Sequence, residues 1–484
     1  VAEKNFIVVG AGLGGLATAL RLAHRGHRVT VLEQTDQVGG RNREVRVNDC
    51  VFDGGPTLMM MLDPFNRLFS DVGEKLSDHL SISLCDPNYR VFFPQEGIRN
   101  RLDCTSNMAL MKRSIEAFAN AEDAAKYPEF IGRLGEMYRE CIPAFVRRNY
   151  NSPLDLATPG SAALALKHRM LSNLAKEVER TFTDPALRQL FCLQTMYLGL
   201  SPYAAPYVYG VLAYMEYGEG IWYPDGGMIQ ICRSVARLAE KRGATIRLNT
   251  KVTKIEGNSV WLESGETLTA DAIVCNVDLP YAERELLGEA PRKRRYSCSA
   301  YMMYMDYEGE IPELLHHNIV MGSDFFENLD QIFNRSEIPT DPAFYVALSS
   351  KTDRTKAPAG HENLYVLVPS PNLDHEFTEA DGADLQQKIF RRLAKESSFR
   401  PENMRAMKTY SPHDWQDELG LDKGAAFGLS HDFMQSVCFR PANRSKSNPH
   451  LFFVGASTTP GNGLPMVLIG AELVEDRLQK AGHL

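Results

Sequence analysis

Two groups of residues in this chain have the types and spacing to do chemistry. The first is Gly10-Ala11-Gly12-Leu13-Gly14-Gly15 followed at residue 33 by Glu33. Gly10 suits a tight turn, Gly12 lets backbone approach a pyrophosphate, and Gly15 lets a helix pack closely on a strand, with the phosphates resting on the helix N-terminus. Glu33 stands where a carboxylate accepts hydrogen bonds from a ribose; it favours a free 2′-hydroxyl and repels a 2′-phosphate. A βαβ unit with no ligand uses the same glycines, so the spacing alone leaves that alternative open. The second group is Gly39-Gly40-Arg41, then Asp53-Gly54-Gly55-Pro56. A nicotinamide-nucleotide domain would enter another helix there. A glycine pair and an arginine suit instead a loop folded back over an extended dinucleotide, although a glycine-rich hairpin accounts for them too.

The elements that must position these groups follow from local pattern. Residues 6–9 form an apolar, β-branched run; Leu16, Ala19, Leu20 and Ala23 recur at helical spacing; Gly26 closes the helix; residues 28–32 form the next strand and end at Glu33. A strand running to Phe52 is expected after Arg41. Strands are expected at 245–248, 251–256, 259–262 and 272–275, with a turn at 263–266, and a last strand at 451–454 turns at Gly455 into a helix over 464–478. Between these pieces, 105–218 is rich in helix formers, and 292–430 alternates apolar and polar residues as a sheet does. With no repeats and no low-complexity linkers, the expected organisation is interleaved. Residues 1–75, 222–288 and 431–484 form an α/β, Rossmann-type dinucleotide domain. Residues 76–104 with 289–430 form a mixed-sheet substrate domain, and 105–221 a helical lid or membrane-contact region.

Composition bounds the function. The chain has 484 residues, 44% of them hydrophobic, and a net charge of -8, which disfavours a nucleic-acid partner. Nine scattered cysteines without C-x-x-C or Cys/His grouping point to a reducing compartment and to neither a disulfide framework nor a metal site. The apolar start reads as a strand entering a glycine loop and not as a leader, and no run of about eighteen apolar residues is present. The expectation is a protein of the cytoplasmic side, attached to a membrane surface at most.

Read together, Gly10/Gly12/Gly15, Glu33 and Gly39-Gly40-Arg41 resemble the amine oxidase and phytoene desaturase superfamily of FAD proteins. The stretches FDGGPT (52–57), DPNYRVFFP (86–94), EGIWYPDGGM (219–228) and LFFVGASTTPGNGLPMVLIGAELV (451–474) resemble its bacterial and fungal carotenoid desaturases. The resemblance spans nearly the whole chain. It implies FAD held by Gly10, Gly12, Gly14, Gly15, Glu33, Gly40, Arg41, Gly55, Pro56 and Thr57. It adds Val252 against the adenine, and Gly455, Gly463, Pro465, Met466 and Val467 at the flavin, where the helix N-terminus and the amides of Met466 and Val467 favour negative charge. Members often carry His where Thr459 stands and Thr where Asn462 stands, so the polar surroundings of the ring differ here.

The same resemblance offers Glu136 and Arg139 for proton handling, yet both sit off the apolar stripe of Ile131, Leu134, Met137 and Cys141, as a solvated ion pair does. Trp222 and Tyr223, just before Pro224-Asp225-Gly226-Gly227, are expected to face the ring and line the substrate site. Tyr203, Tyr207, Tyr209, Tyr214 and Tyr217 are further candidates for a polyene tunnel, or for core. Ile142, Ala144, Phe145 and Val146 beside Arg147 and Arg148 suit either a lipid-dipping surface or a core turn with solvated charges. His316-His317 reads as a polar strand edge. The implied chemistry is desaturation of a hydrophobic polyene drawn from a membrane, by hydride transfer to flavin N5, with reoxidation by oxygen or a quinone because only one dinucleotide loop is present. A carotenoid isomerase or saturase shares every one of these features. An amine oxidase and a non-catalytic prenyl-binding escort protein are the more distant readings.

Overall fold

The computed structural model describes residues 2–94 and 100–484. Its dinucleotide end is built on five parallel strands in the spatial order Leu451–Phe453, Ala272–Cys275, Asn5–Val9, Arg28–Leu32, Thr245–Arg247. In the three strands Leu451–Phe453, Ala272–Cys275 and Asn5–Val9 the β-branched and aromatic residues are buried on both faces, as a parallel sheet covered by helices requires, and burial falls off toward the edge strand Thr245–Arg247. Helix Leu13–His24 is almost wholly buried between helices Ile229–Lys241 and Leu464–Lys480. That burial explains its small and apolar sequence LGGLATALRLAH, and Gly26, at φ +84°, ends it.

The first and last strands of the chain, Asn5–Val9 and Leu451–Phe453, therefore meet in one sheet. The core that holds them continues into a helical body made by Met108–Phe118, Ala121–Cys141, Pro159–Lys167 and Leu174–Thr181. The helix formers of 161–182 do not make one helix: the chain breaks between Lys167 and Leu174, where Arg169 takes φ +50°. A seven-stranded sheet forms the third part, in the order Met404–Tyr410, Ser299–Glu308, His361–Ser370, Phe344–Leu348, His317–Val320, Tyr89–Phe92, Arg101–Cys104. Helix Glu379–Glu396 opens on a Thr378/Asp381 capping box, and its Leu385, Ile389 and Leu393 join the apolar core of this sheet.

Two expectations change. The strand predicted to reach Phe52 is a hairpin, Glu44–Val47 with Cys50–Asp53, because Asn48 takes φ +49° and turns the chain. His316-His317 is no strand edge: His317 opens a strand paired on both sides, and both rings are buried.

Candidate active site

Each glycine group is built by its neighbours. A Cβ on Gly12 would lie 2.5 Å from Asn276 Oδ1, and one on Gly15 would lie 2.3 Å from the Gly10 carbonyl oxygen. Gly15 therefore admits no side chain unless the backbone moves, and Gly12 admits one only if the Asn276 side chain gives way. Gly12 lines the cavity, whereas Gly15 sits behind the loop, packing helix on strand. The second glycine loop is latched onto the first: Gly12 and Gly39 form a β-bridge, and the Gly39 amide donates to the Ala11 carbonyl at 2.9 Å. Glu33 is buried at the strand end. Its Oε2 accepts from the Ala11 amide at 2.8 Å and its Oε1 from the Thr35 amide at 3.0 Å, which fixes the carboxylate on the loop's mouth.

Arg41 is tied to the C-terminal loop through Asp278. Its guanidinium meets Asp278 Oδ1 at 3.3 Å, and the Ser457 hydroxyl donates to the same oxygen at 2.6 Å. Burial pulls the Arg41 basicity down and pushes the Asp278 carboxyl up, each opposed by attraction to the other. The C-terminal loop is held by Arg440, a residue that no motif singles out. Only 3% exposed, it donates to the carbonyls of Leu429, Ser430, Gln435, Ala456 and Thr458. Helix Leu464–Lys480 then starts at Gly463 with Pro465 in its first turn. The Val467 amide donates to the Gly463 carbonyl at 3.0 Å, so it is the first intrahelical bond and not the free donor expected of it. Among the described residues the Met466 amide has no acceptor, and it lines the cavity.

These parts surround one cavity of about 1200 Å³. Gly10, Gly12, Gly14, Glu33, Gly40, Arg41, Gly55, Pro56, Thr57, Val252, Gly455, Gly463, Pro465, Met466 and Val467 all line it. That exceeds the roughly 300–1,000 Å³ of a pocket for one drug-sized molecule. Beyond the glycine loops the wall becomes apolar, with Ile142, Phe145, Val146, Met170, Leu193 and Leu212, and it reaches the surface beside Leu171 and Phe433.

Several sequence-predicted residues lie elsewhere. Glu136 and Arg139 are exposed on the outer face of helix Ala121–Cys141 and do not line the cavity, because the stripe Leu134, Met137 and Cys141 takes the inner face; the proton-handling expectation is corrected. Trp222 and Tyr223 do not line it either. They belong to strand Ile221–Pro224, paired with Ile82–Cys85, and the Tyr223 hydroxyl is spent on Asp53 Oδ2 at 2.7 Å. Of the remaining tyrosine candidates only Tyr209 faces the cavity, joined by Tyr197, Tyr345 and Tyr365, which come from segments with no motif of their own. The turn Ile142–Val146 lines the interior, and Arg147 is bound by Glu472 at 2.8 Å and by Asp63, so it is no lipid-facing cation. Cys85, His316 and His317 bring donor atoms within 4.8 Å of one another behind Tyr345, a grouping the sequence spacing did not disclose. Both imidazoles are held neutral by burial, His316 lowered to about 3, and their Nδ1 atoms are engaged by Thr352 and Tyr345.

Comparison with known proteins agrees with this geometry. The profile of the family described as flavin containing amine oxidoreductase matches residues 13–467. The chain is 40% identical over 498 residues to a zeta-carotene-forming phytoene desaturase of Myxococcus xanthus, covering 99% of this chain and 95% of that one. It is 32% identical over 513 residues to a phytoene desaturase of Fusarium fujikuroi, covering 99% and 90%. Among solved structures, an oxidoreductase of Methanosarcina mazei superposes with a TM-score of 0.63 over 98% of this chain and 100% of that one; at 17% identity this shows the fold. With its glycine loops, buried Glu33 and matching profile, the chain belongs to the flavin containing amine oxidoreductase family, in the group formed by the phytoene desaturases.

Proposed function

We propose that this protein is an FAD-dependent desaturase of a long carotenoid-type polyene. The observation that carries the reading is the single cavity, which runs from a dinucleotide cradle into an apolar passage opening at the surface. Relatives whose names state phytoene desaturation support it.

The residues present fit FAD. Glu33 would accept from the ribose, the Gly10 to Gly15 loop would take the pyrophosphate, Arg41 would stand near the pyrophosphate or the flavin edge, Val252 would back the adenine, and Gly455, Gly463, Pro465 and Met466 would meet the ring with one free amide. When bound, the flavin supplies a two-electron acceptor for a hydride from an allylic carbon. The chain's own part is to exclude water and hold the polyene: Phe145, Val146, Met170 and Leu212 enclose an apolar chain, while the tyrosine-rich end beside Thr57 supplies the polar groups next to the ring. Conjugation in the substrate delocalises developing charge, which lowers the demand for a strong base.

The substrate reaches the passage from a lipid surface. Leu171 and Phe433 line the opening, and Leu154, Leu166 and Met434, within two residues in the chain of lining residues Leu156, Ala165 and Phe433, are exposed with them, an apolar set that suits a lipid surface. Among the described residues no helix is long and apolar enough to cross a membrane, so the contact is at the surface. Reoxidation falls to oxygen or a membrane quinone. Residues 1–75, 222–288 and 431–484 serve the cofactor, 76–104 with 289–430 the substrate sheet, and 105–221 the lid and lipid contact.

The test is anaerobic. Protein reconstituted with FAD is mixed with phytoene liposomes, and flavin absorbance and extracted pigment are followed together. Bleaching with a longer conjugated product supports desaturation. Bound flavin without bleaching moves the reading to isomerisation or another substrate, and failure to take up flavin moves it to an escort protein.

A further inference from the structure

Desaturation releases a proton as well as a hydride, and the residues expected to handle it lie outside the cavity. The ionisable groups on the wall are mostly committed. Glu33 is bound to backbone amides, Arg41 and Asp278 hold each other, the Tyr209 hydroxyl donates to the His431 carbonyl, and the Tyr365 hydroxyl donates to the Gly55 carbonyl. Tyr345 is taken up by Thr57 and His317. Tyr197 differs, because it lines the cavity and its side chain pairs with the carboxyl of Glu216.

Glu216 is fully buried in the turn Met215–Glu219. Its Oε2 accepts from the Tyr89 hydroxyl at 2.9 Å and from Gln194 Nε2 at 2.7 Å, while its Oε1 has no hydrogen-bond partner. An acid buried this deeply without a cation costs stability, so a merely structural position would favour Gln. The other titratable groups that face it, Tyr89, Tyr197, Tyr217 and Cys104, are all pushed up by burial and stay neutral at neutral pH.

Resting on the desaturase reading, we propose that Glu216 receives the substrate proton through Tyr197. As the hydride leaves one carbon for the flavin, the neighbouring C–H bond breaks and its electron pair becomes the new π bond. The released proton passes to the Tyr197 oxygen while the Tyr197 proton moves to the Glu216 carboxylate beside it; once the product has left, the carboxyl gives that proton back through Tyr197 to water. Burial sets the carboxyl at about 7, where it both accepts and releases a proton under working conditions.

The experiment compares wild type, Glu216→Gln, Tyr197→Phe and His431→Asn, each loaded with FAD, in anaerobic mixing with phytoene liposomes across pH. Infrared difference titration against Glu216→Gln reads the carboxyl directly. The expected result is a wild-type reduction rate that rises with pH through about 7, in step with a carboxyl band that Glu216→Gln lacks. Glu216→Gln and Tyr197→Phe both flatten that profile and slow reduction about 100-fold or more, with flavin content and polyene affinity unchanged. Wild-type rate and profile in both variants, or a profile that vanishes only in His431→Asn, overturns the proposal. Should Glu216→Gln not fold, Tyr197→Phe carries the same comparison. If wild type itself does not bleach, the substrate reading fails and the relay with it, a result distinct from equal bleaching in wild type and variants.

Discussion

Replacing Arg440 by Met tests whether one buried cation holds the C-terminal loop against the cavity. The guanidinium has no carboxylate partner; it serves five backbone carbonyls, from 429–435 on one side and 456–458 on the other. Burial draws it down to about 10, so it is still charged at neutral pH. Methionine fills a similar space and donates nothing. The Ser430 carbonyl keeps a second donor, Gln435 Nε2 at 3.4 Å, whereas the other four lose theirs. At about 1 kcal/mol for each orphaned acceptor the cost is about 4 kcal/mol, offset in part because a desolvated cation is no longer buried. The expected net loss is about 3 kcal/mol. Arg440→Lys keeps the charge but cannot span both strands of carbonyls, and falls between. A chain of this length is best compared by thermal midpoint at one fixed scan rate, alongside flavin affinity by fluorescence titration. The midpoint drops by several degrees, and the flavin affinity falls because Ala456, Ser457 and Thr458 line the cavity. A Met variant within about 1 °C of wild type and with unchanged flavin affinity refutes the reasoning. It would assign the loop instead to Asn443, which donates to the Phe453 and Thr459 carbonyls.

Glu33→Ala removes both the ribose acceptor and the partner of the Ala11 amide, and is expected to weaken FAD binding at least about tenfold in a fluorescence titration; unchanged affinity would place the ribose elsewhere. The triple change Leu154→Asp, Leu166→Asp and Leu171→Asp leaves flavin content intact and abolishes cosedimentation with anionic liposomes; retained cosedimentation refutes the lipid contact. Glu216 has a carboxyl raised from 4.5 to about 7, so the folded chain holds a proton that the unfolded chain has lost. Stability linked to it is therefore present below 4.5 and is lost as pH rises through about 7. Glu216→Gln is expected to gain about 2.5 kcal/mol over wild type between pH 5 and 8, read as a growing difference in thermal midpoint. A difference that does not change with pH counts against a titrating Glu216.

Local chemistry made the cofactor half legible. A tight turn, a close approach and a strand-end acid are each written within a few consecutive residues, so Gly10 to Gly15, Glu33 and Gly39-Gly40-Arg41 could be placed without coordinates, and the strands 28–32, 259–262 and 272–275 coincide with the observed elements. Periodicity already set Glu136 and Arg139 off the apolar stripe, and the structure leaves them outside. What sequence spacing does not carry is which distant segments share a wall. Tyr197, Tyr209, Tyr345 and Tyr365 converge because helical turns and two strands of the seven-stranded sheet meet over one cavity. Arg440 has meaning only where two loops present carbonyls to it. Glu216 has no mark in the string MEYGEG, and its unusual carboxyl exists because Tyr89 and Gln194, 127 and 22 residues away, close around it. Trp222 and Tyr223 show the converse: adjacency to a glycine motif suggested the ring, but strand pairing with 82–85 turned both away. Short-range sterics and hydrogen bonding fix a loop in sequence; burial, and every charge state that depends on it, is decided by the fold.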